Sequence, residues 1–487
     1  MTGVQTCALP IFNFGVEYQA SRTLRLGAYY MYGSALGFSA NLVINPAQRP
    51  TGGMGGPGPE PVLPRPTRAA NPSAYGTNFL TQADANQILT DNVTKNLIRT
   101  GIIVEALAYT ADTAQIRIRN VDYDAVAQAV GRVARALSQS MPANIETFEI
   151  IPVVNGVPAA KITLKRSDLE ALEFAPDAAT ILRARASITN PGPALPGLTV
   201  NPAAYPKLTW SIAPYANTRY FDPSAPFQIA IGARAAVTYE IRPGLILSGT
   251  VTKLITRPLK QGNAGGREKL QPVRTDTFRY DSHGDPDLET LTAAWYARLA
   301  DDVYTRVTLG YLERMFAGVS AEVLWRPVQQ RWALGAELDY VAQRNPDGGL
   351  GFNFYNYKVA TGRVSGYYDL GNGLHLQLDL GRYLAGDVGG TITLTREFAN
   401  GWKIGAFATK TNVSSKTFGE GSFDKGIMMQ IPLAWFTGRP TRALEPFVIR
   451  PLTRDGGAQL LVDGRLFDVL HSYDARGVDS QWGRVWK

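Results

Sequence analysis

Strict alternation of apolar and polar residues dominates the second half of the chain. Ile229, Ile231, Ala233, Ala235, Val237, Tyr239 and Ile241 share one parity, and Gln228, Gly232, Arg234, Thr238, Glu240 and Arg242 the other. The period of two returns in Val303, Thr305, Val307, Leu309 and Tyr311 against Tyr304, Arg306, Thr308 and Gly310. It returns again in Trp332, Leu334, Ala336, Leu338 and Tyr340 against Arg331, Gly335, Glu337 and Asp339, and in Leu374, Leu376, Leu378 and Leu380 against His375, Gln377, Asp379 and Gly381. Successive side chains of a strand point to opposite faces, so each run predicts a strand with one apolar face. From 207 to 436 such runs predict about a dozen strands of roughly 9 to 15 residues. Short turns such as Gly371-Asn372-Gly373 and Ala399-Asn400-Gly401, or long polar loops such as 257–287, join them.

Long strands, alternating short and long connections, and aromatic residues near strand ends are the signature of a transmembrane antiparallel β-barrel. One-sided alternation alone also fits a soluble β-sandwich, whose strands are shorter and whose two sheets each bury one apolar face. The number of strands and the column of Arg, Glu, Asp, Gln, Thr and Gly on the second face favour the barrel, with that column facing a watery lumen kept open by small Gly and Ala. The candidate lumen-lining residues are Arg234, Glu240, Arg298, Arg306, Arg331, Glu337, Asp339, Arg363 and Asp379. They serve either as mutually paired charges or as guides for an acidic polysaccharide, and the first role is the expected one. Trp295, Trp325, Trp332, Trp402 and Trp435 are expected at the membrane interface rather than as sugar platforms.

Upstream the pattern changes. Leu24, Leu26, Ala28, Tyr30 and Tyr32, then Leu36, Phe38, Ala40, Leu42 and Ile44, predict a hairpin turning at Gly33-Ser34. Residues 46–81 are rich in Pro and Gly and predict a linker. Residues 82–175 predict a small α+β domain. Leu89, Val93 and Leu97 mark its first helix, Val126, Val130, Val133 and Leu137 its second, and Ser167 with Glu170 a capping box on its third. A Pro-rich joint follows at 176–206, then the barrel at 207–436 and a C-terminal segment at 437–487.

Residues 1–11, Met-Thr-Gly-Val-Gln-Thr-Cys-Ala-Leu-Pro-Ile, resemble a translated sequencing adapter. An authentic strand is then expected to start at Phe12, with the true amino terminus and any export signal missing. Cys7, the one cysteine, falls in that segment, which leaves no disulfide or thiolate site elsewhere and fits an oxidising compartment. The net charge of +8 and pI of about 9.3 come from scattered Lys and Arg, so no nucleic-acid partner is expected.

Three histidines, His283, His375 and His471, are far apart in sequence, and no zinc spacing, phosphate loop or nucleophile elbow occurs. The sharpest enzymatic idea is a hydrolase using Ser365, His375 and an Asp. Pairing about Gly371-Asn372-Gly373 sets His375 across from Asp369 and Ser365 across from Asp379, so Ser365 lies about 13 Å from the level of His375. Hydrogen-bond reach fails. No enzymatic activity, metal or cofactor is expected.

Gly381-Arg-Tyr-Leu-Ala-Gly-Asp-Val-Gly-Gly390 resembles the YjbH family of outer-membrane proteins, associated with exopolysaccharide and capsule production. Similar segments are Gly421-Ser-Phe-Asp-Lys-Gly426, Arg450-Pro-Leu-Thr-Arg-Asp-Gly-Gly-Ala458, Asp479-Ser-Gln-Trp-Gly-Arg-Val-Trp486 and the hairpin ending Asn41-Leu-Val-Ile-Asn-Pro46. The resemblance implies an outer-membrane location and two barrels flanking a periplasmic α/β segment. Residues 12–45 are then the last strands of a truncated first barrel. It also implies a non-enzymatic role in polysaccharide biogenesis or export, with outer-membrane lipid, exopolysaccharide and export-system proteins as partners. A general diffusion porin is the alternative.

Overall fold

The computed structural model describes residues 13–20, 24–42, 56, 58–98, 100–222, 225–256, 259, 270–414, 417, 423–451 and 453–487. The foreign-looking residues 1–11 and, except for Gly56, the stretch 46–57 lie outside the described residues.

Strands β1 (Phe14–Gln19), β2 (Leu24–Met31) and β3 (Ala35–Leu42) form an antiparallel sheet of their own. Its register aligns Phe14, Tyr30 and Leu36, and likewise Val16, Ala28 and Phe38, on one face. Most of these side chains are exposed.

The α+β unit runs α1 (Ala85–Leu97), β4 (Ile102–Tyr109), β5 (Thr113–Asn120), α2 (Val126–Ser140), β6 (Thr147–Val154), β7 (Val157–Pro158), β8 (Lys161–Lys165) and α3 (Arg166–Leu172). Then follow α4 (Ala178–Arg185), β9 (Ser187–Thr189) and β10 (Thr199–Val200). The sheet order is β10-β4-β5-β6-β8-β9, with β7 against β6; the β5–β6 pair is parallel, as the intervening helix α2 allows. Leu89, Val93 and Leu97 of α1 are buried, as their spacing predicts.

Three features depart from the pattern-based reading. The capping box at Ser167 and Glu170 does not form, because α3 begins at Arg166 with Lys165 as its N-cap, two residues before Ser167. Ser167 Oγ instead donates to Glu146 at 2.5 Å, and Glu170 accepts from Arg65 and Arg166. The packing also reaches beyond 82–175: Val62 N donates to Glu173 at 2.9 Å, and β9 and β10 extend the sheet. Finally α2 is covered on all sides from Val126 to Ser138, although its stripe predicts one buried face. Residues 475–486 pack over its polar side, where Arg135 Nη2 donates to Trp486 O at 2.9 Å and Arg484 grips Asp124 at 2.7 and 2.8 Å.

The large sheet contains β11 (Lys207–Asp222), β12 (Ala225–Arg242), β13 (Leu245–Leu254), β14 (Asp287–Ala300), β15 (Val303–Tyr311), β16 (Phe316–Trp325) and β17 (Trp332–Gln343). It continues with β18 (Lys358–Gly371), β19 (Leu374–Arg382), β20 (Val388–Glu397), β21 (Lys403–Thr411), β22 (Asp424–Pro432) and β23 (Leu444–Ile449). Each strand pairs antiparallel with its chain neighbour, giving 13 strands in sequential order. The sheet therefore exceeds the expected dozen and runs past 436, because the six-residue β23 escapes a periodicity search. Pro446 is tolerated in β23 because, among the described residues, that strand pairs with β22 alone. Strand lengths reach 18 residues in β12, and a helix, α5 (Thr277–His283), interrupts the long polar loop before β14.

The faces are inverted relative to a soluble sheet. Leu338 is 71% exposed, and Ile212, Ile231, Val237, Leu309, Leu334, Val364, Leu378, Leu380, Ile392 and Ile427 are exposed as well. Arg306, Glu322, Glu337 and Asp379 on the opposite face are at most 2% exposed. Turns at 243–244, 301–302, 326–331, 372–373 and 398–402 lie at the end of the sheet from which β11 enters, beside the α+β unit. Gly156, at φ +78° in the β6–β7 turn of the α+β unit, meets the turn at Gly244, φ +80°, in a backbone contact that a Cβ on Gly156 would block. Trp295, Trp325 and Trp332 lie exposed toward this end, as does Trp210, which the reading above omits. Trp435 departs from the interface expectation: it is 5% exposed, its Nε1 donating to Asn400 O at 3.2 Å.

Candidate functional site

Antiparallel register stacks charges across the polar face. Arg306 lies opposite Glu322, Glu322 opposite Glu337, and Glu337 opposite Arg363. Two adjacent carboxylates in a water-poor layer require compensation. Arg306 supplies it at 3.0 Å to Glu322, and Arg363 at 2.9 Å to Glu337. A third guanidinium arrives from outside the sheet, Arg465, whose Nε donates to Glu337 at 3.0 Å. Two residues along β18, at Ser365, a second ladder crosses Asp379, Thr391 and Thr409.

Arg465 belongs to a thread that descends the polar face. Leaving β23 at the end remote from the α+β unit, the chain is held first by Asp455, which accepts from Arg274 N at 2.7 Å and Thr275 N at 2.9 Å. Gly457 N donates to Asp387, and Ala458 O accepts from Leu384 N. Gln459 then bridges the ladders, accepting from Arg363 Nη1 at 2.9 Å and donating to Asp379 at 3.3 Å. Gly464 O accepts from Tyr296 Oη at 3.0 Å, and Leu466 N donates to Glu322 at 3.0 Å. The short helices Leu466–Leu470 and Ala475–Ser480 follow, and the chain ends on α2.

Apolar clusters close both ends of this polar layer. Val273, Tyr280, Leu312, Phe316, Leu384 and Leu460 gather at the remote end. Tyr296, Tyr304, Leu324, Leu466, Tyr473 and Trp482 join the core of the α+β unit at the other. The polar face that small residues were expected to keep open is instead covered, by residues 270–286 of the loop before β14 and by residues 454–466.

The nine residues singled out from the sequence divide by level. Arg306, Glu337, Asp339, Arg363 and Asp379 lie in the paired central layer, where Asp339 accepts from Thr361 at 2.8 Å. Arg234 pairs with Glu289 at 3.0 Å and stacks over Tyr215. Glu240 leaves the layer and pairs with Arg119 of the α+β unit at 2.5 Å, and Arg298 pairs with Asp301 at a turn. Arg331 is exposed at the same end, and its side chain has no partner among the described residues. Ser365 Oγ donates to Asp379 at 2.6 Å, whereas His375 sits across from Asp369 and faces His471, with ring centroids 6.1 Å apart. The structure does not bring Ser365 and His375 together. Sequence reasoning missed Glu322, Arg274, Gln459 and Arg465. The alternation of β16 would have found Glu322; the others lie outside strands.

Comparison with known proteins places the chain in a family. It belongs to the YjbH family, described as "Exopolysaccharide biosynthesis protein YbjH", which it matches over residues 5–472. The "Uncharacterized lipoprotein YjbH" of Escherichia coli (strain K12) is 38% identical over 213 residues, 43% of this chain and 30% of that protein. The chain thus matches under a third of that relative's length. Among solved structures, OmpTdeltaL8 (a loop L8 deletion mutant of OmpT), an outer membrane protein of Vibrio cholerae, is 13% identical, with a TM-score of 0.23 over 46% of this chain and 87% of that one. The trimer form of in-vitro folded OmpT is 13% identical, with a TM-score of 0.25 over 46% and 82%. At these scores the likeness does not bear on the fold.

Proposed function

We propose that this chain is a non-enzymatic outer-membrane β-barrel protein of exopolysaccharide biogenesis or export, with its α+β unit on the periplasmic side. The carrying observation is the inversion of the large sheet, apolar side chains outward and charged ones buried. In water that band exceeds the apolar patch a soluble monomer leaves uncovered. Against lipid it is the expected surface, since the backbone is satisfied from strand to strand. Exposed tryptophans and short turns at the end beside the α+β unit fit an interface and periplasmic turns. The lipoprotein name of the relative fits an envelope location, and the family description supports the polysaccharide role.

The partners of this reading are outer-membrane lipid, exopolysaccharide and other export proteins, with no cofactor required. A general diffusion porin needs an open lumen, and the thread at 454–466 speaks against one. Deleting the intact gene should lower secreted or surface polysaccharide and leave permeability to small solutes unchanged. The opposite pair of results would favour the porin. Hydrolysis of polysaccharide by the purified protein would overturn the non-enzymatic reading.

A further inference from the structure

We propose that the cleft beside the α+β unit is a binding site for an acidic oligosaccharide, one bearing uronate-type carboxylates. It measures about 790 Å³, within the usual range of ligand sites, and lies between the turns at 371–373 and 397–399 and the C-terminal residues 467–481.

Charge pairing leaves the cleft positive. Arg326, Arg331, Arg396 and Arg476 line it, with Asp369, Glu397, Asp474 and Asp479. Every carboxylate is already engaged: Asp474 by Arg326, Asp369 by Arg476 at 4.0 Å, Glu397 by Lys403 at 3.0 Å, and Asp479 by Arg183. Lys403 and Arg183 stand outside the wall, so Arg331 and Arg396 have no carboxylate. Arg396 stacks on Phe398 at 5.2 Å, and Arg331 projects exposed from the start of β17 with no partner among the described residues.

Aromatic rings line the rest of the wall. Phe467 lies flat on Tyr367 with centroids 3.7 Å apart, and Tyr368 and Phe398 are exposed at the rim. Aromatic faces bury the apolar side of a sugar ring, while a guanidinium recognises its carboxylate in bidentate fashion. Four carboxylates in the wall disfavour a compact dianion such as phosphate and tolerate a singly charged uronate.

The identity of the ligand rests on the exopolysaccharide reading; the cleft and its charge do not. The test is calorimetric titration of the full-length, detergent-solubilised protein with oligogalacturonate and with neutral maltooligosaccharide of equal length. Oligogalacturonate should bind at least about tenfold more tightly than the neutral sugar, and Arg331→Gln should weaken it by about tenfold or more. Arg382→Gln, at the opposite end of β19, should leave binding unchanged, and both variants should keep the parent circular-dichroism spectrum because neither guanidinium forms an ion pair. Absent binding, equal binding of the two sugars, or binding indifferent to Arg331 would overturn the site. Polysaccharide loss on gene deletion with no Arg331-dependent binding would sink this site alone. Unchanged polysaccharide with Arg331-dependent binding would sink the functional reading alone.

Discussion

The carbonyl oxygen of Val485 occupies the space that a side chain on Gly131 would need. Helix α2 and the C-terminus thus meet backbone to backbone, with Arg135 donating to Trp486 O and Arg484 to Gln128 on either side of the contact, while Trp482 is tied to α4 through Ala179 O. Gly131→Ala should force the last residues off the helix at a cost of about 1–3 kcal/mol. Hydrogen exchange at residues 475–487 should accelerate, while Gly483→Ala, with open space around it, should leave the rate unchanged. Equal rates in both variants would contradict the contact.

The thread on the polar face depends on Arg465, because Glu322 and Glu337 lie side by side and need three guanidinium groups about them. Arg465→Met should cost about 3–5 kcal/mol, the range for breaking one side of a buried pair, and should release residues 454–466. With Cys7 replaced by Ser and Ala458 by Cys, the thiol should resist a water-soluble maleimide when Arg465 is present, since Ala458 is 3% exposed. Rapid labelling should follow only when Arg465 is replaced. Protection in both proteins would mean that Arg465 is dispensable for docking.

What could be read from the sequence was the part set by local period. Alternation marks the large sheet and separates Leu338 from Glu337, and the turn at Gly371-Asn372-Gly373 fixes the partners of Ser365 and His375. Period says which face a residue takes and nothing of what covers that face. Gln459 meets Asp379 across 80 residues of chain and Arg465 meets Glu337 across 128, so neither contact leaves a local trace. Glu240 and Ser167 show the same limit. Both have the right residue type at the right spacing, and each is claimed by a distant partner, Arg119 and Glu146.

If the apolar face meets lipid, a charge at its centre must be expensive. Leu338, in the middle of β17, is 71% exposed, and Leu338→Arg should destabilise the inserted protein by about 2–4 kcal/mol. In a soluble protein so exposed a position would tolerate Arg within about 0.5 kcal/mol. Ile98, 76% exposed at the end of α1, is the matched control on the α+β unit. The yield of folded protein in the membrane fraction should fall for Leu338→Arg and hold for Ile98→Arg. Equal yields would remove the main support for membrane insertion.

The α+β unit should lose stability in acid through Glu146. Burial alone would raise this carboxyl, but hydrogen bonds from Ser167 and Arg65, with the attraction of the Arg65 charge, outweigh it and hold the group below its ordinary 4.5. The folded protein therefore releases this proton more readily than the unfolded chain. The stabilisation is complete above the ordinary value and fades as pH falls through it toward the depressed one. Exchange protection across α3, corrected for the intrinsic rate, should drop between about pH 6 and about pH 4. Glu146→Gln should begin lower at the upper pH and fall less across the interval, because a neutral amide has no proton to gain. Burial raises Asp122, so its ionisation opposes folding near neutrality, and Asp122→Asn should raise protection of β5 at the upper pH. The same acid-induced loss in the parent and in Glu146→Gln would assign the sensitivity to other carboxylates.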